Sequence, residues 1–433
     1  MKGSRSSIPL MLLGAVAAAV VLWKWKTPRL PDAPSPPAEA GIQSQARETT
    51  IASELSELAE PPDWSQLDRW QHTISRNDFL RLMEEVYTVS NDWRDWFVVG
   101  ENDVLIKTGV ANRPYHLRFA DTPRSPDRQW KSARDLGAAP PDLPLEGLHV
   151  AIDPGHIGGR WATMEERWFR IGDGIPVMEG NLTLQVARLL RPMLETLGAE
   201  VSLVREETEP VTDFRPESFT GEATVSLMES PTQLAERLFY RTAEIRARAK
   251  KVNEEIQPDL VLCLHFNAEA WGDPENPTLV PGNHLHLLVN GAYTSSELGL
   301  ADQRFELVRH LLDGSHGEAS AISRSIISAF NQQTDLPPYF YETNSSRAVN
   351  IGGNPYLWGR NLLANRIYLP PVIFLEPYVM NSQEDYARIQ EGDYEGLREV
   401  AGKSRPSIFR EYARAVTDGL ANYYRSARRD AAR

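Results

Sequence analysis

Hydrophobic and polar positions in the second half of the chain predict strands alternating with helices. Residues 148–152 form a short, largely apolar run that predicts a strand, and Leu260–Leu264 is continuously apolar, which is typical of a strand that is buried on both faces of a sheet. Between them, residues 182–197 repeat apolar side chains at helical spacing, and Gly198 is suited to end that helix. The alternation predicts an α/β domain at residues 145–425, with a mostly parallel or mixed sheet flanked by helices. Further strands are predicted at residues 201–204, 284–289 and 372–375, and further helices at 234–256, 319–331 and 408–425. The many Arg, Lys and Glu side chains of the helix at 234–256 are expected to be exposed.

A smaller α+β unit is predicted at residues 62–137. Ser75 is suited to cap a helix whose apolar side includes Phe79 and Val86. The sequence contains no chemical motif there, so it does not indicate a role for the unit. Short alternating runs that predict a small sheet follow at residues 96–99, 104–107 and 115–119.

The N-terminal region has an apolar run at residues 8–23, followed by Trp23, Lys24 and Trp25. As a helix it would rise about 24 Å, somewhat less than a ~30 Å hydrocarbon layer. A cleaved signal peptide is the alternative, but bulky residues follow the small ones where cleavage would occur. We therefore predict a signal anchor or transmembrane segment at residues 1–26, with a proline-rich linker and polar stretch at 27–61.

Composition narrows the class of protein. The chain has 59 acidic and 46 basic residues, and its formal charge of -13 argues against nucleic-acid binding. Its one cysteine, Cys263, excludes an intramolecular disulfide and a cysteine-rich zinc finger.

Four polar residues stand where predicted strands end or where a predicted helix begins. His156 follows the first strand, Glu179 precedes a helix, and His265 and Glu376 end later strands. Ligands collect at such edges of open α/β sheets. Each residue alone has an ordinary structural explanation. Together, two imidazoles and one carboxylate form a zinc site with an open position, and the other carboxylate can act as general base.

These residues also resemble a known family. Residues 146–425 resemble the zinc-dependent N-acetylmuramoyl-L-alanine amidases of bacterial cell walls. The resemblance implies His156, Glu179 and His265 as zinc ligands and Glu376 as the catalytic base. The matching segments are residues 153–156, 179–182, 201–205, 262–268 and 371–376, the last followed by Tyr378, Asn381 and Glu384.

The interval between His156 and Glu179 is longer than the resemblance leads us to expect. Glu165 or Glu166 is therefore an alternative ligand. Glu179 is favoured because it directly precedes the amphipathic helix that follows this ligand in the family.

Two additional stretches, residues 206–232 and 293–317, are expected to be surface loops. In an alternative hypothesis, residues 300–312 form a helix that covers the zinc until a partner removes it. His284 and His286 share one face of a strand, where sheet packing is favoured over a place in the site.

The resemblance implies that a zinc-activated water hydrolyses the amide bond between N-acetylmuramate and L-alanine in peptidoglycan, with Glu376 moving the proton. The expected partners are peptidoglycan, a membrane through the N-terminal helix, and an activator protein of unknown identity. The expected location is the bacterial inner membrane, with the catalytic domain in the periplasm. Two alternatives remain: a zinc hydrolase or peptidase that cuts another cell-wall bond, and a catalytically silent protein that binds peptidoglycan or regulates its turnover.

Overall fold

The computed structural model describes residues 55–109, 113–220, 230–273, 276–341 and 347–431. The predicted membrane segment at 1–26 and most of the linker at 27–61 lie outside these residues. In the described part of the chain, no helix is both long and apolar enough to cross a membrane. The described residues all belong to one compact unit.

The secondary structure consists of fourteen strands and eleven α-helices in the described residues. The strands are β1 Phe97–Val99, β2 Asp103–Ile106, β3 Tyr115–Arg118, β4 His149–Pro154, β5 Trp168–Phe169, β6 Val177–Met178, β7 Glu200–Leu203, β8 Leu260–Leu264, β9 Leu285–Val289, β10 Val349–Asn350, β11 Leu357–Gly359, β12 Val372–Pro377, β13 Arg398–Val400 and β14 Lys403–Arg405. The helices are α1 Arg76–Leu82, α2 Ala133–Leu136, α3 Glu179–Thr196, α4 Pro231–Arg237, α5 Glu244–Lys250, α6 Ser295–Leu298, α7 Ala301–Asp313, α8 Ser315–Gln333, α9 Leu363–Ile367, α10 Gln383–Gln390 and α11 Ile408–Ala431.

Wider π-type and tighter 3-10 turns extend or link these helices. The π-type turn at Leu238–Ala243 joins α4 to α5, and the one at Lys251–Ile256 extends α5. Residues 231–256 therefore form one continuous helix, where the sequence predicted a helix at 234–256. A third π-type stretch, Met83–Tyr87, extends α1. The 3-10 turns are Trp64–Trp70, Asn91–Asp95, Gly159–Trp161 and Pro216–Phe219.

A seven-stranded sheet in the order β10-β11-β9-β12-β8-β4-β7 forms the centre of the fold. The pairs β4–β7, β4–β8, β12–β8 and β11–β9 are parallel, whereas β12–β9 and β10–β11 are antiparallel. The sheet is therefore mixed and mostly parallel, and helices flank it on both faces. The predicted α/β class is confirmed.

Successive side chains of the central strands contact helices on opposite faces of the sheet. In β8, Leu260, Leu262 and Leu264 belong to the large core beneath α3, α8 and α11. Val261 and Cys263 point to the other face and pack with α5 and α9. A strand presents successive side chains to opposite faces. Because helices cover both faces of this sheet, both sets are buried.

The N-terminal residues form a three-stranded antiparallel sheet, β1-β2-β3, as predicted. The Ser75 side chain caps α1 by accepting a hydrogen bond from the Asp78 N–H. The core of this part is continuous with that of the larger sheet. One direct link is the Tyr293 N–H, which donates to the Tyr87 carbonyl at 2.7 Å. The domain bounds at 62–137 and 145–425 stay predictions from the sequence.

Two expectations about exposure were wrong. Residues 293–317 are helical rather than a surface loop, and nearly every side chain of α7 is buried. A helix packed this way is part of the core, which argues against its acting as a removable cover. In the helix at 231–256, Glu244 and Arg248 are buried instead of exposed, because they pair with groups beneath them. In contrast, the described residues between 206 and 220 lie mostly at the surface, as expected.

Candidate active site

The predicted site residues meet at one edge of the large sheet. Strands β4, β8 and β12 are mutually parallel, so their carboxyl ends lie side by side. His156 follows β4, His265 follows β8, and Glu376 is the second-to-last residue of β12. Glu179 begins α3, whose first turn reaches the same edge.

Three of these residues form a cluster suited to a metal. His156, Glu179 and His265 each offer a ligand atom, and these atoms all lie within 4.8 Å of one another. Glu179 lies between the two imidazoles, 3.2 Å from His156 Nε2 and 3.0 Å from His265 Nδ1. We call these three residues the metal cluster. Two imidazole nitrogens and one carboxylate are a usual donor set for catalytic zinc.

The backbone of Gly155, after β4, lies close to the side chain of His265, after β8. A Cβ at position 155 would overlap the imidazole of His265, so only glycine fits there. The next residue, His156, has a φ of 59°, in the left-handed region that non-glycine residues seldom adopt. Such conformations persist where surrounding contacts fix them, and they concentrate at functional sites.

Two buried arginines fix this loop through its carbonyl groups. Arg248 donates to the Pro154 carbonyl and to the His156 carbonyl, both at 2.9 Å. Arg205 donates to the Pro154 carbonyl at 3.0 Å and to the Gly155 carbonyl at 3.2 Å. The loop that presents His156 is therefore held on both sides.

Glu165 lies outside the metal cluster but supports it. Its carboxylate accepts hydrogen bonds from the backbone N–H groups of Ile157 and Gly158, and it lies 3.5 Å from His156 Nδ1. Glu166 is exposed. The geometry thus favours Glu179 over these two alternatives as the carboxylate ligand, although the roles themselves stay predictions.

Electrostatics keep the Glu179 carboxylate ionised. Burial alone would raise its pKa, but the charge of His156, the hydrogen bond from His265 and the charge of Arg167 lower the pKa to about 2. Arg167 Nε lies 3.2 Å from Glu179 Oε2. An ionised carboxylate between two imidazoles is ready to bind a cation.

Glu376 is adjacent to the metal cluster without belonging to it. The backbone N–H of His265 donates to the Leu375 carbonyl at 3.0 Å, which places the ends of β8 and β12 side by side. Burial raises the pKa of Glu376, and the negative charge of Glu179 raises it further. The positive charge of His265 lowers it, and the resulting pKa is about 7. A carboxyl group with this pKa can both accept and donate a proton near neutral pH.

The site opens into a cleft of about 590 Å³. His156, His265 and Glu376 line it, and arginine side chains are frequent along its walls. Six acidic side chains, Glu57, Asp153, Glu165, Glu166, Glu244 and Glu376, line the cleft as well, so its walls carry mixed charge. The arginines that line the cleft are Arg167, Arg237, Arg241, Arg246, Arg248, Arg360 and Arg366.

Two further histidines and three arginines lie near the site. His284 and His286 are buried and pack against the ring of Tyr339, so the favoured role in sheet packing is confirmed. Arg167, Arg205 and Arg248 were not predicted to support the site. The position of Arg205 directly after a strand was the available signal, whereas Arg248 gave none, because it lies in a helix full of charge.

Comparison with protein-family models identifies a family for this chain. The family model Amidase_3, described as N-acetylmuramoyl-L-alanine amidase, matches residues 150–401, more than half of the chain. Comparison with curated protein sequences finds no match.

Several solved amidase structures are similar at low identity. The N-acetylmuramyl-L-alanine amidase Ami1 of Mycobacterium smegmatis is 15% identical, with 65% of this chain and 99% of that chain covered and a TM-score of 0.37. CwlD of Clostridioides difficile, solved in complex with the GerS lipoprotein, is 12% identical, with coverages of 65% and 100% and a TM-score of 0.37. AmiC2 of Nostoc punctiforme is 16% identical, with coverages of 65% and 97% and a TM-score of 0.33. The family match over residues 150–401 establishes that this chain belongs to the N-acetylmuramoyl-L-alanine amidase family.

Proposed function

We propose that this protein is a zinc-dependent amidase that hydrolyses the bond between N-acetylmuramate and L-alanine in peptidoglycan. The observation that supports it most is the metal cluster beside Glu376 in one cleft. The family match supports the choice of bond.

The metal cluster fits zinc by its donor types and spacing. His156, Glu179 and His265 would hold the ion, and the buried Glu179 carboxylate is ionised before any cation arrives. Bound zinc would polarise the substrate carbonyl and acidify water in the site.

The protein's own groups position and move protons. Glu376, buried beside the metal cluster, accepts the proton of the attacking water and returns it to the amine of the leaving L-alanine. Glu165 is a positioning residue, because it holds the loop of His156 through two backbone N–H groups.

The test compares the wild type with Glu376→Gln and with Glu399→Gln, an exposed control on β13. Zinc content is measured for each protein, and products are analysed after incubation with purified peptidoglycan. Glu376→Gln should keep zinc but lose at least about 100-fold in turnover, since general acid–base catalysis contributes about 10²–10⁴-fold. Glu399→Gln should match the wild type.

The products separate the alternatives. Release of intact stem peptides with a free L-alanine amine supports the proposed bond, whereas other fragments would indicate a different cell-wall hydrolase. No release by a zinc-loaded wild type would favour a silent binding protein. The membrane anchor at 1–26 and a periplasmic location stay predictions, supported by the apolar N-terminal run and by where peptidoglycan lies.

A further inference from the structure

Two residues near the start of the described chain lie along the same cleft as the metal cluster. Ser56 and Glu57 are among the groups that line it. The Ser56 N–H donates to Asp302 Oδ1 at 2.8 Å, and the Gln303 side chain donates to Ser56 Oγ at 3.0 Å. These bonds tie the segment to the beginning of α7.

The Glu57 carboxylate meets a set of donors on the helix at 231–256. Arg237 donates to its two oxygens through Nη1 and Nη2, at 2.7 and 2.9 Å. Thr242 Oγ1 donates to Glu57 Oε2 at 3.3 Å, and Arg246 Nε donates to the Glu57 carbonyl at 3.1 Å. Two parallel N–H···O bonds are the geometry by which arginine recognises carboxylates in ligands. The hydrogen bond from Arg237, with burial opposing it, lowers the pKa of Glu57, so that the group is ionised at neutral pH.

The π-type turns at Leu238–Ala243 bring these donors together. Arg237 and Thr242 are five residues apart, a separation of about 140° around a regular α-helix. A π-type turn bonds residues five apart and aligns them on one face. Both side chains therefore reach the same carboxylate oxygen. Turns of this type occur frequently at functional sites, because they change which side chains share a face.

The pair is accessible enough to exchange partners. The Arg237 side chain is 25% exposed and the Glu57 side chain 46% exposed, so neither charge would be stranded in an apolar interior if the contact opened. A carboxylate arriving in the cleft could thus take the place of Glu57. The charge of Arg241 also acts on Glu57 and would act on any carboxylate in its position.

We propose that Arg237 and Thr242 form a carboxylate subsite for the acidic stem peptide, and that Glu57 occupies it as an internal competitor until substrate displaces it. This proposal rests on the proposed function and adds a specificity determinant to it. A free carboxylate of the stem would gain the bidentate contact with Arg237. A stem with carboxamides in those places would gain little and would leave Glu57 bound.

The test uses the full chain and two forms of one muropeptide, with stem carboxylates either free or converted to carboxamides. The wild type should hydrolyse the acid form with the lower KM. Glu57→Gln should lower KM for the acid form about fivefold, the range expected for a partly exposed ion pair, with kcat unchanged. Arg237→Gln should remove the preference between the two forms, and Arg237→Lys should restore part of it. Glu60→Gln, an exposed neighbour, should behave as the wild type.

Combining the variants tests competition directly. In Arg237→Gln, adding Glu57→Gln should change nothing further, because the subsite is already lost. An unchanged KM in Glu57→Gln, or equal changes for both muropeptides, would overturn the proposal. A lower melting temperature without any change in KM would assign the Glu57 contact to stability alone.

A binding measurement separates this proposal from the proposed function. Calorimetry with the free stem tripeptide, in acid and carboxamide forms, needs no hydrolysis. If the zinc-loaded wild type hydrolyses neither muropeptide but Glu57→Gln binds the acid tripeptide more tightly, the subsite stands and the amidase assignment fails. Equal affinities of all variants for both tripeptides would refute the subsite.

Discussion

Replacing Arg248 by methionine would test how the loop of His156 is held. Arg248 is buried and donates to Glu244 at 2.7 Å and to Asp153 at 3.0 Å, besides the carbonyls of Pro154 and His156. Methionine is an unbranched side chain that can fill part of the same space, but it is shorter and has no charge and no donor. The variant would therefore leave two buried carboxylates without the cation of Arg248 and would free the His156 carbonyl, while Arg205 still donates to the carbonyl of Pro154.

The magnitude follows from what each carboxylate retains. Asp153 would still accept from the Tyr368 hydroxyl at 2.6 Å, and Glu244 from the Thr212 N–H at 3.0 Å. Removing one partner of a buried ion pair costs about 3–5 kcal/mol, and these remaining bonds place the loss near the lower end. For a chain of this size that corresponds to a fall in melting temperature of roughly 3–5 °C. Calorimetry and urea unfolding measure it.

Metal retention is the second measurement. Mutation of a group that orients a metal ligand typically weakens metal binding by about 10–100-fold. We therefore expect Arg248→Met to bind zinc about 10–100-fold more weakly than the wild type, at a temperature where the variant remains folded. Lys250→Met, an exposed residue of the same helix, is the matched control and should change neither property. Adding Asp153→Asn to Arg248→Met should recover part of the stability by removing one unpaired charge. A variant as stable as the wild type, with the same zinc affinity, would refute the reasoning.

Two further predictions concern the cleft edge and buried histidine. Gly155→Ala should lose zinc affinity while the protein stays folded, because its Cβ would overlap the His265 ring; Gly282→Ala, which has open space, should keep zinc in the same metal assay. Burial, with the charges of His284 and Arg360, lowers the pKa of His286 to about 3, below the ~6.5 of an unfolded histidine. The unfolded chain binds that proton first, so stability falls as pH drops below 6.5, by about 3 kcal/mol at pH 4. Urea unfolding at pH 7 and pH 4 should show that His286→Leu lacks this loss, and equal losses in both proteins would contradict the assignment.

The sequence predicted the parts of the fold that depend on periodic burial. β8 was evident because all five residues, Leu260–Leu264, are apolar, and its buried position between β4 and β12 matches that pattern. β11, Leu357–Gly359, was missed because three residues that include tryptophan and glycine have no strand periodicity. The antiparallel placement of β9 beside β12 was also not predictable, since burial alone does not specify strand direction.

The site was predictable to a similar extent. His156 and His265 could be inferred from their positions at strand ends, whereas the choice of Glu179 over Glu165 depended on resemblance to a family. Arg248 could not be inferred, because an arginine in a strongly charged helix is ordinarily exposed. The π-type turns before and after α5 alter the helical phase, and no local sequence signal marks that change.

The two histidines of the metal cluster follow neighbouring strands, so hydrogen-bonded strand spacing of about 4.8 Å governs their separation. The length of the loop that follows His156 does not affect that distance. The long interval between His156 and Glu179 can therefore gain, lose or exchange residues at its exposed positions without moving the imidazoles apart. In this protein the interval contains Arg167, which faces the cleft. Substrate preference in relatives can thus diverge through this interval while the metal geometry is preserved by the sheet.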